Sequence, residues 1–240
     1  MHSQHIVRNR ILQQLAADEL KSIQPWLNSI KLQPNAVLHE SGAAVESVYF
    51  PLSGMISLLS VMQTGDAIET GIVGAEGLVG GDAAVNGHLF GQATVQMAGE
   101  ALQIPKARFV DAYNAHPHLR NLVNRYQSTL LVQAQQNAAC HAFHSVRSRL
   151  CRWMLHSQDL LGSPAFYLTQ EFLSHMLGVR RNTVSIEAHS LQQAGLIRYS
   201  RGNITILDRD GLEECACECY AVIRAETDKL MGAVSERAAC

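Results

Sequence analysis

Residues 168–207 read LTQEFLSHMLGVRRNTVSIEAHSLQQAGLIRYSRGNITIL, and this stretch decides the fold of the C-terminal part of the chain. Thr169 followed by Gln-Glu is typical of a helix start, and Gly178 provides a left-handed turn where that helix ends. A second helix with one apolar face follows and ends at Gly195. Two β-rich runs then flank the Ser-Arg-Gly-Asn turn at 200–203, which indicates a hairpin. The order predicts a winged helix-turn-helix.

The start of the second helix carries side chains that can hydrogen-bond phosphates and base edges. Arginine presents a planar fork that fits guanine or a phosphate, so this helix is predicted to enter a DNA major groove. The alternative is a winged helix that packs on another protein, because element order fixes fold better than function. The residues concerned are Arg180, Arg181, Asn182, Thr183 and Ser185.

The distribution of charge favours the DNA interpretation. The 240 residues carry a formal net charge of −2. Residues 145–207, however, hold seven arginines against three carboxylates, a net of +4, whereas residues 208–240 hold eight acids against four bases, a net of −4. The basic charge therefore coincides with the predicted helix-turn-helix, as expected of a DNA-binding face.

Hydropathy and cysteine usage suggest a soluble, cytoplasmic protein with no membrane partner. No apolar run reaches the length of a membrane span, and the first residues lack the apolar stretch of a signal peptide. Six irregularly spaced cysteines do not form a disulfide framework, so reduced thiols are expected.

The fold class predicted from these patterns is α+β, with three parts. Short apolar runs separated by Gly, Pro, Asn or Asp predict an antiparallel β-roll, of the double-stranded β-helix or cupin-like kind, within residues 1–115. Residues 116–144 are predicted to form a long dimerisation helix. The winged helix-turn-helix and a C-terminal helix are assigned to residues 145–240.

The predicted long helix has a heptad-like seam at alternating spacings of three and four. We favour a dimer contact for this seam, with docking of the helix on the β-roll as the alternative. Paired recognition helices would then read a pseudo-palindromic site. The seam residues are Leu119, Val123, Tyr126, Leu130, Gln133, Asn137 and Cys140.

The tail is predicted to be one amphipathic helix over residues 210–232, which places a Cys-x-Cys-x-Cys run on it. Positions two apart on a helix diverge by about 200°, so Cys215, Cys217 and Cys219 could not all face one metal ion unless the segment is not helical. Ordinary packing or exposed thiols is the favoured interpretation. A redox role, which would also involve Cys240 at the terminus, is the alternative.

The order of β-roll, long helix and winged helix-turn-helix resembles the Crp/Fnr family of bacterial transcription regulators over nearly the whole chain. The strongest match is LTQEFLSHMLGVRRNTVS followed by LQQAGLI, and VYFPLSG at residues 48–54 is similar to the family's β-roll. The resemblance implies a homodimer that binds double-stranded DNA and RNA polymerase. Its β-rolls would sense a signal that the long helices transmit to DNA.

Carried over by position, the resemblance assigns roles to individual residues. Thr169 would contact a phosphate or cap the first helix, and Arg181 would read a guanine. The next slot often holds Glu in the family but here holds Asn182, which favours adenine, and Ile186 stands where Arg is frequent and reaches only a thymine methyl. The expected phosphate contacts are Arg180, Ser185 and Arg201.

The sensor departs from the family's cyclic-nucleotide pattern. The equivalents of its phosphate-binding segments are Gly81-Asp82, which also fits an ordinary turn, and Gly91-Gln92, and the family's arginine is missing. A buried phosphate without a cation is costly, which disfavours cyclic AMP and GMP. The effector expected at this pocket is therefore an unidentified small molecule, and a regulator without ligand response is the alternative.

The sequence predicts no catalytic residue, cofactor or metal. No cysteine precedes Cys140, which excludes the N-terminal iron–sulfur cluster of oxygen-sensing members. Histidines 88, 116, 118, 141 and 144 lack a matched ligand set, so solvated or structural roles are favoured over metal or haem ligation. The runner-up function is a β-roll small-molecule binder or metalloenzyme with the winged helix as a protein-contact module. Only His39 and His88 lie within residues 30–104, without an HxH pair, which counts against a metalloenzyme.

Overall fold

A computed structural model describes residues 8–232, apart from the side chains of residues 83–85. The N-terminal part begins with short helices and continues as antiparallel strands. Its helices are α1 (Arg10–Gln14), α2 (Ala17–Ile23), a 3-10 turn (Gln24–Trp26), α3 (Gly81–Asn86) and α4 (Lys106–Ala115). Its strands are β1 (Asn28–Leu32), β2 (Val37–His39), β3 (Ser47–Pro51), β4 (Met55–Val61), β5 (Ala67–Val73), β6 (Gln92–Met97) and β7 (Gly99–Pro105).

These strands form two antiparallel sheets, ordered β1-β7-β3 and β2-β6-β4-β5. Alternate residues of β6 are buried, the period expected of a strand with one face on a core. Both sheets contribute to a single apolar cluster, with Phe50 and Leu102 from the first and Ile56 and Val95 from the second. The predicted β-roll and the α+β class are confirmed.

The C-terminal part is helical except for a small sheet. Its helices are α5 (Pro117–Phe143), α6 (Val146–Leu161), α7 (Gln170–Leu177), α8 (Arg181–Gln193), α9 (Arg209–Cys215) and α10 (Cys219–Met231). Strands β8 (Ala165–Tyr167), β9 (Ile197–Ser200) and β10 (Asn203–Ile206) form a sheet in the order β8-β10-β9. The helix-turn-helix and the hairpin wing are thus present as predicted.

The seam of α5 docks on the β-roll of its own chain, so the dimer contact that we favoured for it is wrong. Leu119, Val123 and Tyr126 belong to the β-roll core. Gln133 accepts a hydrogen bond from Ile72 N at 3.0 Å and donates to Ile72 O at 3.4 Å. The Asn137 amide donates to the Thr70 carbonyl at 3.1 Å.

The two polar seam residues therefore satisfy the free backbone groups of an edge strand. β5 lies at the end of the order β2-β6-β4-β5, where unpaired backbone groups would otherwise remain. Gln133 and Asn137 are four residues apart, about 6 Å along a helix, and Ile72 and Thr70 are two apart, about 6.6 Å along a strand. The match of these two spacings explains why amide side chains stand on an otherwise apolar seam.

The β-roll and the helix-turn-helix share a second apolar cluster. Met55 and Ile72 of the β-roll lie in the same cluster as Trp153 of α6 and Leu173 and Met176 of α7. The described part of the chain contains no helix both long and apolar enough to span a bilayer.

The tail forms two helices, not the single helix predicted for residues 210–232. Asp208 caps α9 by accepting from Gly211 N at 3.0 Å, and Ala216 takes an extended conformation (φ −73°, ψ 157°) that ends it. The segment 216–218 is therefore non-helical, and Cys217 is free of the angular constraint assumed from the sequence. Cys240 lies outside the described residues.

Candidate DNA-binding surface and effector cavity

Helix α7 positions the turn of the helix-turn-helix. Thr169 caps it, since its hydroxyl accepts a hydrogen bond from Phe172 N at 3.1 Å. Gly178 takes the left-handed conformation (φ 59°) that ends the helix. Of the two roles expected for Thr169, the structure therefore shows the cap.

Helix α8 presents a polar face to solvent. Its buried side consists of Val184, Ala188 and Leu191, the inner face predicted from the sequence. Arg181 and Asn182 are exposed in the first turn, and the Ile186 side chain is 68% exposed one turn on. This exposure leaves the Ile186 side chain free to make an apolar contact with a partner.

The wing is a β-hairpin with a two-residue turn. Ser200 pairs with Asn203, and the intervening Arg201 (φ 50°) and Gly202 (φ 85°) both have positive φ. This is the turn whose twist matches the flanking strands. It leaves Arg201 exposed at the tip.

The structure brings most of the predicted DNA-contacting residues to the surface and places two of them partly inside. Ser185 and Thr183 are half-buried, and the Ser185 hydroxyl lies 3.3 Å from Gln170 Nε2, which donates to it. Two further exposed residues, His189 and Arg198, were not predicted from the sequence. Asn182, Ile186 and His189 are separated by four and then three residues, a helical spacing that the sequence does contain. The exposed predicted residues are Thr169, Arg180, Arg181, Asn182, Ile186 and Arg201.

Four exposed guanidinium groups lie on this surface. Arg180 and Arg181 stand at the start of α8, and Arg198 and Arg201 lie on the wing. Within residues 8–232, none of the four forms an ion pair with a carboxylate. Surface cations without acidic partners on a protein of net charge −2 can neutralise phosphates.

A cavity of about 430 Å³ lies between the β-roll and α5. Three of the predicted pocket residues, Asp82, Gly91 and Gln92, line it. Gly81 lies beside the cavity. A Cβ added to it would point toward Leu78 and Gln127, which line the cavity.

The lining of the cavity is mostly apolar, with a few polar groups and one carboxylate. Leu58, Leu78 and Leu130 supply apolar surface, and the described residues of the lining include neither Lys nor Arg. Asp82 is the lining residue with a formal charge, and a carboxylate repels a phosphate. The cavity therefore suits a neutral small molecule better than a nucleotide.

The histidines singled out from the sequence lie apart. His88 and His118 are exposed, and His118 Nε2 lies 2.8 Å from Gln14 O. His141 contacts the guanidinium of Arg149, and His144 contacts the tail. His141 and His144 thus face different partners instead of a common ligand.

Comparison with known families matches both halves of the chain. Residues 148–215 match the Crp-like helix-turn-helix domain, and residues 29–116 match the cyclic nucleotide-binding domain. These ranges correspond to α6–α9 and to the β-roll with α4. No curated protein sequence matches the chain.

Several solved structures share the fold. FixK2 from Bradyrhizobium japonicum is 12% identical with a TM-score of 0.70, covering 80% of this chain and 98% of its own. The c-di-GMP-responsive global regulator CLP from Xanthomonas campestris is 14% identical (TM-score 0.66; 80% and 99% covered). A CRP/FNR-family transcriptional regulator from Thermus thermophilus is 22% identical (TM-score 0.64; 79% and 98% covered).

Proposed function

The chain belongs to the Crp/Fnr family of transcription regulators, a family of DNA-binding regulators and not of enzymes, and we propose that it acts as a homodimer on a pseudo-palindromic site. The division that we propose is a sensor (1–115), a dimerisation helix (116–144) and a DNA-binding part (145–240). It acts in the cytoplasm, where duplex DNA and RNA polymerase lie, and RNA polymerase is its proposed second partner.

The observation that carries the proposal is the exposed face of α8. Arg181, Asn182 and Ile186 lie on one side of a helix whose other side packs on the domain core. A recognition helix needs this division, because the residues that read bases must be free of contacts within the protein. In this proposal Arg181 reads a guanine, Asn182 an adenine and Ile186 a thymine methyl.

The remaining polar residues position the protein on the duplex. Arg180 and Arg201 approach phosphates on either side of the groove that α8 enters. Thr183 and Ser185 contribute contacts from the half-buried side of α8, and Thr169 contacts a phosphate at the start of α7. Such contacts fix orientation and carry no sequence information.

A stripe on α5 supplies the dimer contact in place of the buried seam. It is exposed along its whole length, and its members recur at alternating spacings of three and four. Leu131 is 58% exposed at its centre, and small alanines follow it. Small residues allow two helices to approach closely. The stripe consists of Asn121, Asn124, Ser128, Leu131, Gln135, Ala138 and Ala142.

The effector that we propose is a neutral, partly apolar small molecule bound in the cavity. Leu130, Leu131 and Ala134 of α5 line this cavity, so an occupant touches the helix that carries the dimer stripe. Gly81 shapes the wall, whereas Asp82, Gly91 and Gln92 face the ligand. A ligand here would change DNA binding by shifting α5, provided that it binds one arrangement of α5 more tightly than another.

Selection from random duplex DNA at physiological salt tests the proposed function. We expect a pseudo-palindrome whose half-sites are centred about ten base pairs apart, one turn of the duplex. If the regulator binds DNA only with its effector, repeating the selection in the presence of a cell metabolite extract should reveal the site. No enrichment in either condition would leave the winged helix as a protein-contact module, the second reading of this fold.

A further inference from the structure

A compact group of metal-ligating side chains lies outside the DNA-binding surface and the cavity. Cys140, His144, Cys217 and Cys219 each offer one ligand atom, and these atoms all lie within 4.8 Å of one another. Cys140, Cys217 and Cys219 are buried, and His144 is partly exposed. We propose that these four side chains bind one zinc ion that fixes the C-terminal helix α10 to the end of α5.

The separations agree with tetrahedral coordination. A zinc ion with Zn–S bonds of about 2.3 Å and a Zn–N bond of about 2.05 Å sets S···S distances near 3.8 Å and S···N distances near 3.6 Å. Cys140 Sγ lies 3.5 Å from Cys217 Sγ, and Cys219 Sγ lies 3.4 Å from His144 Nδ1. Three thiolates and one imidazole form a common set in closed structural zinc sites.

The ligands reach one point because two different local structures present them. Cys140 lies in the last turn of α5, and His144 caps the end of this helix, where its backbone N–H donates to the Cys140 carbonyl and keeps the two residues close together. Cys217 lies within the break between α9 and α10 and Cys219 is the first residue of α10, and the extended backbone at Ala216 removes the divergence that a continuous helix imposes. The end of α5 thus supplies two ligands, and the junction between α9 and α10, distant in sequence, supplies the other two.

Groups around the four ligands resemble the outer shell of a metal site. The other ring nitrogen of His144, Nε2, lies 3.0 Å from a carboxylate oxygen of Glu218. Metal-ligating histidines characteristically pair their second nitrogen with such an acceptor, which fixes the ring and its tautomer. Gln136 Nε2 also donates to Cys219 Sγ at 3.1 Å.

Positive charge lies beside this group of thiols. Arg149 and Arg152 are only 6% and 5% exposed, and both interact electrostatically with Cys140. Within residues 8–232 neither forms an ion pair with a carboxylate, and the Nε of each lacks a hydrogen-bond partner. Three thiolates around a divalent zinc ion carry a net charge of −1, which these guanidinium groups would balance.

Zinc binding would release the protons of the thiols to solvent and close a contact at the junction between two parts of the molecule. His144 directly precedes Ser145, whose side chain caps α6, the first helix of the DNA-binding part. α10 packs along α5 in the same region. A metal at this point therefore holds the tail, the dimerisation helix and the start of the DNA-binding part together, independently of any ligand in the effector cavity.

Zinc content of the full chain, purified without a histidine tag and passed through gel filtration, tests the proposal. We expect one zinc ion per chain in the wild type and loss of zinc in Cys217→Ser and Cys219→Ser. Cys215→Ser is the matched control, because Cys215 belongs to the same Cys-x-Cys-x-Cys run but lies outside the group of four ligands. Retention of zinc in Cys217→Ser would overturn the site.

A second variant covers the case in which the cysteine variants fail to fold. Glu218→Gln removes the outer-shell carboxylate and no ligand, and we expect it to weaken zinc affinity about 10–100-fold in competition with a chelator. Cobalt(II) added to the zinc-depleted chain is expected to give the absorption of tetrahedral, thiolate-bound cobalt at one equivalent. Zinc-free protein from zinc-supplemented cells would contradict the proposal. So would a Cys140–Cys217 disulfide in protein alkylated at lysis, because it would make the pair a redox site.

Discussion

Trp153 of α6 donates its indole N–H to the buried carboxylate of Glu69 in β5 across 2.9 Å. The hydroxyl of Ser57 donates to the other oxygen of the same carboxylate at 2.6 Å. A strand of the sensor and the first helix of the DNA-binding part therefore share one buried acid. Burial raises the pKa of Glu69 from 4.5 to about 7, and the two hydrogen bonds oppose that rise.

Because of Glu69, the free energy of unfolding should fall as pH rises from about 4.5 to 7. Over this range the carboxyl ionises in the unfolded chain but keeps its proton in the folded one, so unfolding releases a proton and a higher pH favours it. Glu69→Gln should remove this loss, which is on the order of 3 kcal/mol at pH 8 relative to pH 4.5. Urea unfolding at several pH values measures it.

The control for this experiment is Glu226→Gln, which changes a partly exposed carboxylate on α10. It should leave the pH profile of the free energy of unfolding close to that of the wild type. Parallel profiles for the wild type and Glu69→Gln would show that Glu69 does not hold its proton in the folded state.

Arg181→Ala should weaken binding to the selected DNA site by about 1–3 kcal/mol and leave binding to unrelated DNA nearly intact. The reason is that a guanidinium which reads a guanine contributes only on the correct sequence. Fluorescence anisotropy with selected and scrambled duplexes separates the two affinities. Arg201→Ala, at the tip of the wing, should instead weaken both to a similar extent. An equal loss on both duplexes for Arg181→Ala would make it a phosphate contact.

Leu131→Glu should weaken self-association of the chain at least tenfold. Leu131 is the large apolar residue of the exposed α5 stripe, and burying one copy from each protomer contributes about 1.5–3 kcal/mol per side chain. Sedimentation velocity over a concentration series measures the change. Met62→Glu provides the control, because Met62 is similarly exposed, at 62%, but belongs to the turn between β4 and β5 and not to the stripe. Equal association of the two variants would place the interface elsewhere.

Gly77→Ala should destabilise the docking of α5 on the β-roll. A Cβ at Gly77 would lie 1.9 Å from Cζ of Tyr126, whose ring is fully buried and has no room to retreat. Overpacking of this kind costs about 1–3 kcal/mol or more in the free energy of unfolding. Gly65→Ala is the control: its φ of 89° strains a side chain, but no atom lies within 4 Å.

The second variant Gly77→Ala/Tyr126→Leu relieves the clash and should recover part of the lost stability. If Gly77→Ala and Gly65→Ala unfold at the same urea concentration, the seam of α5 is not packed as described.

The C-terminal fold was predictable because its signals are local. Thr169 and Gly178 set the start and the end of α7 through capping interactions that act within one helical turn. The positive φ of Gly202 is the conformation that a two-residue hairpin turn requires. The inner face of α8 followed from the spacing of Val184, Ala188 and Leu191 alone.

The features missed from the sequence depend on contacts between distant segments. Periodicity identified the seam of α5 but not its partner, because a helix face that fits another helix also fits a sheet edge. The amides of Gln133 and Asn137 became interpretable only with β5 beside them. Similarly, Cys140 and Cys217 are 77 residues apart, and only the break at Ala216 brings them together.

In the proposed function, α8 reads bases as one of a symmetric pair. Selection of random duplex DNA by Asn182→Glu, in parallel with the wild type, tests it most directly, because glutamate accepts a hydrogen bond from cytosine where asparagine favours adenine. We expect the preferred base to change at one position in each half-site, at two positions related by the dyad, with the rest of the site unchanged. An unchanged site, or a change in one half only, would contradict the role of α8 as one of a symmetric pair of recognition helices.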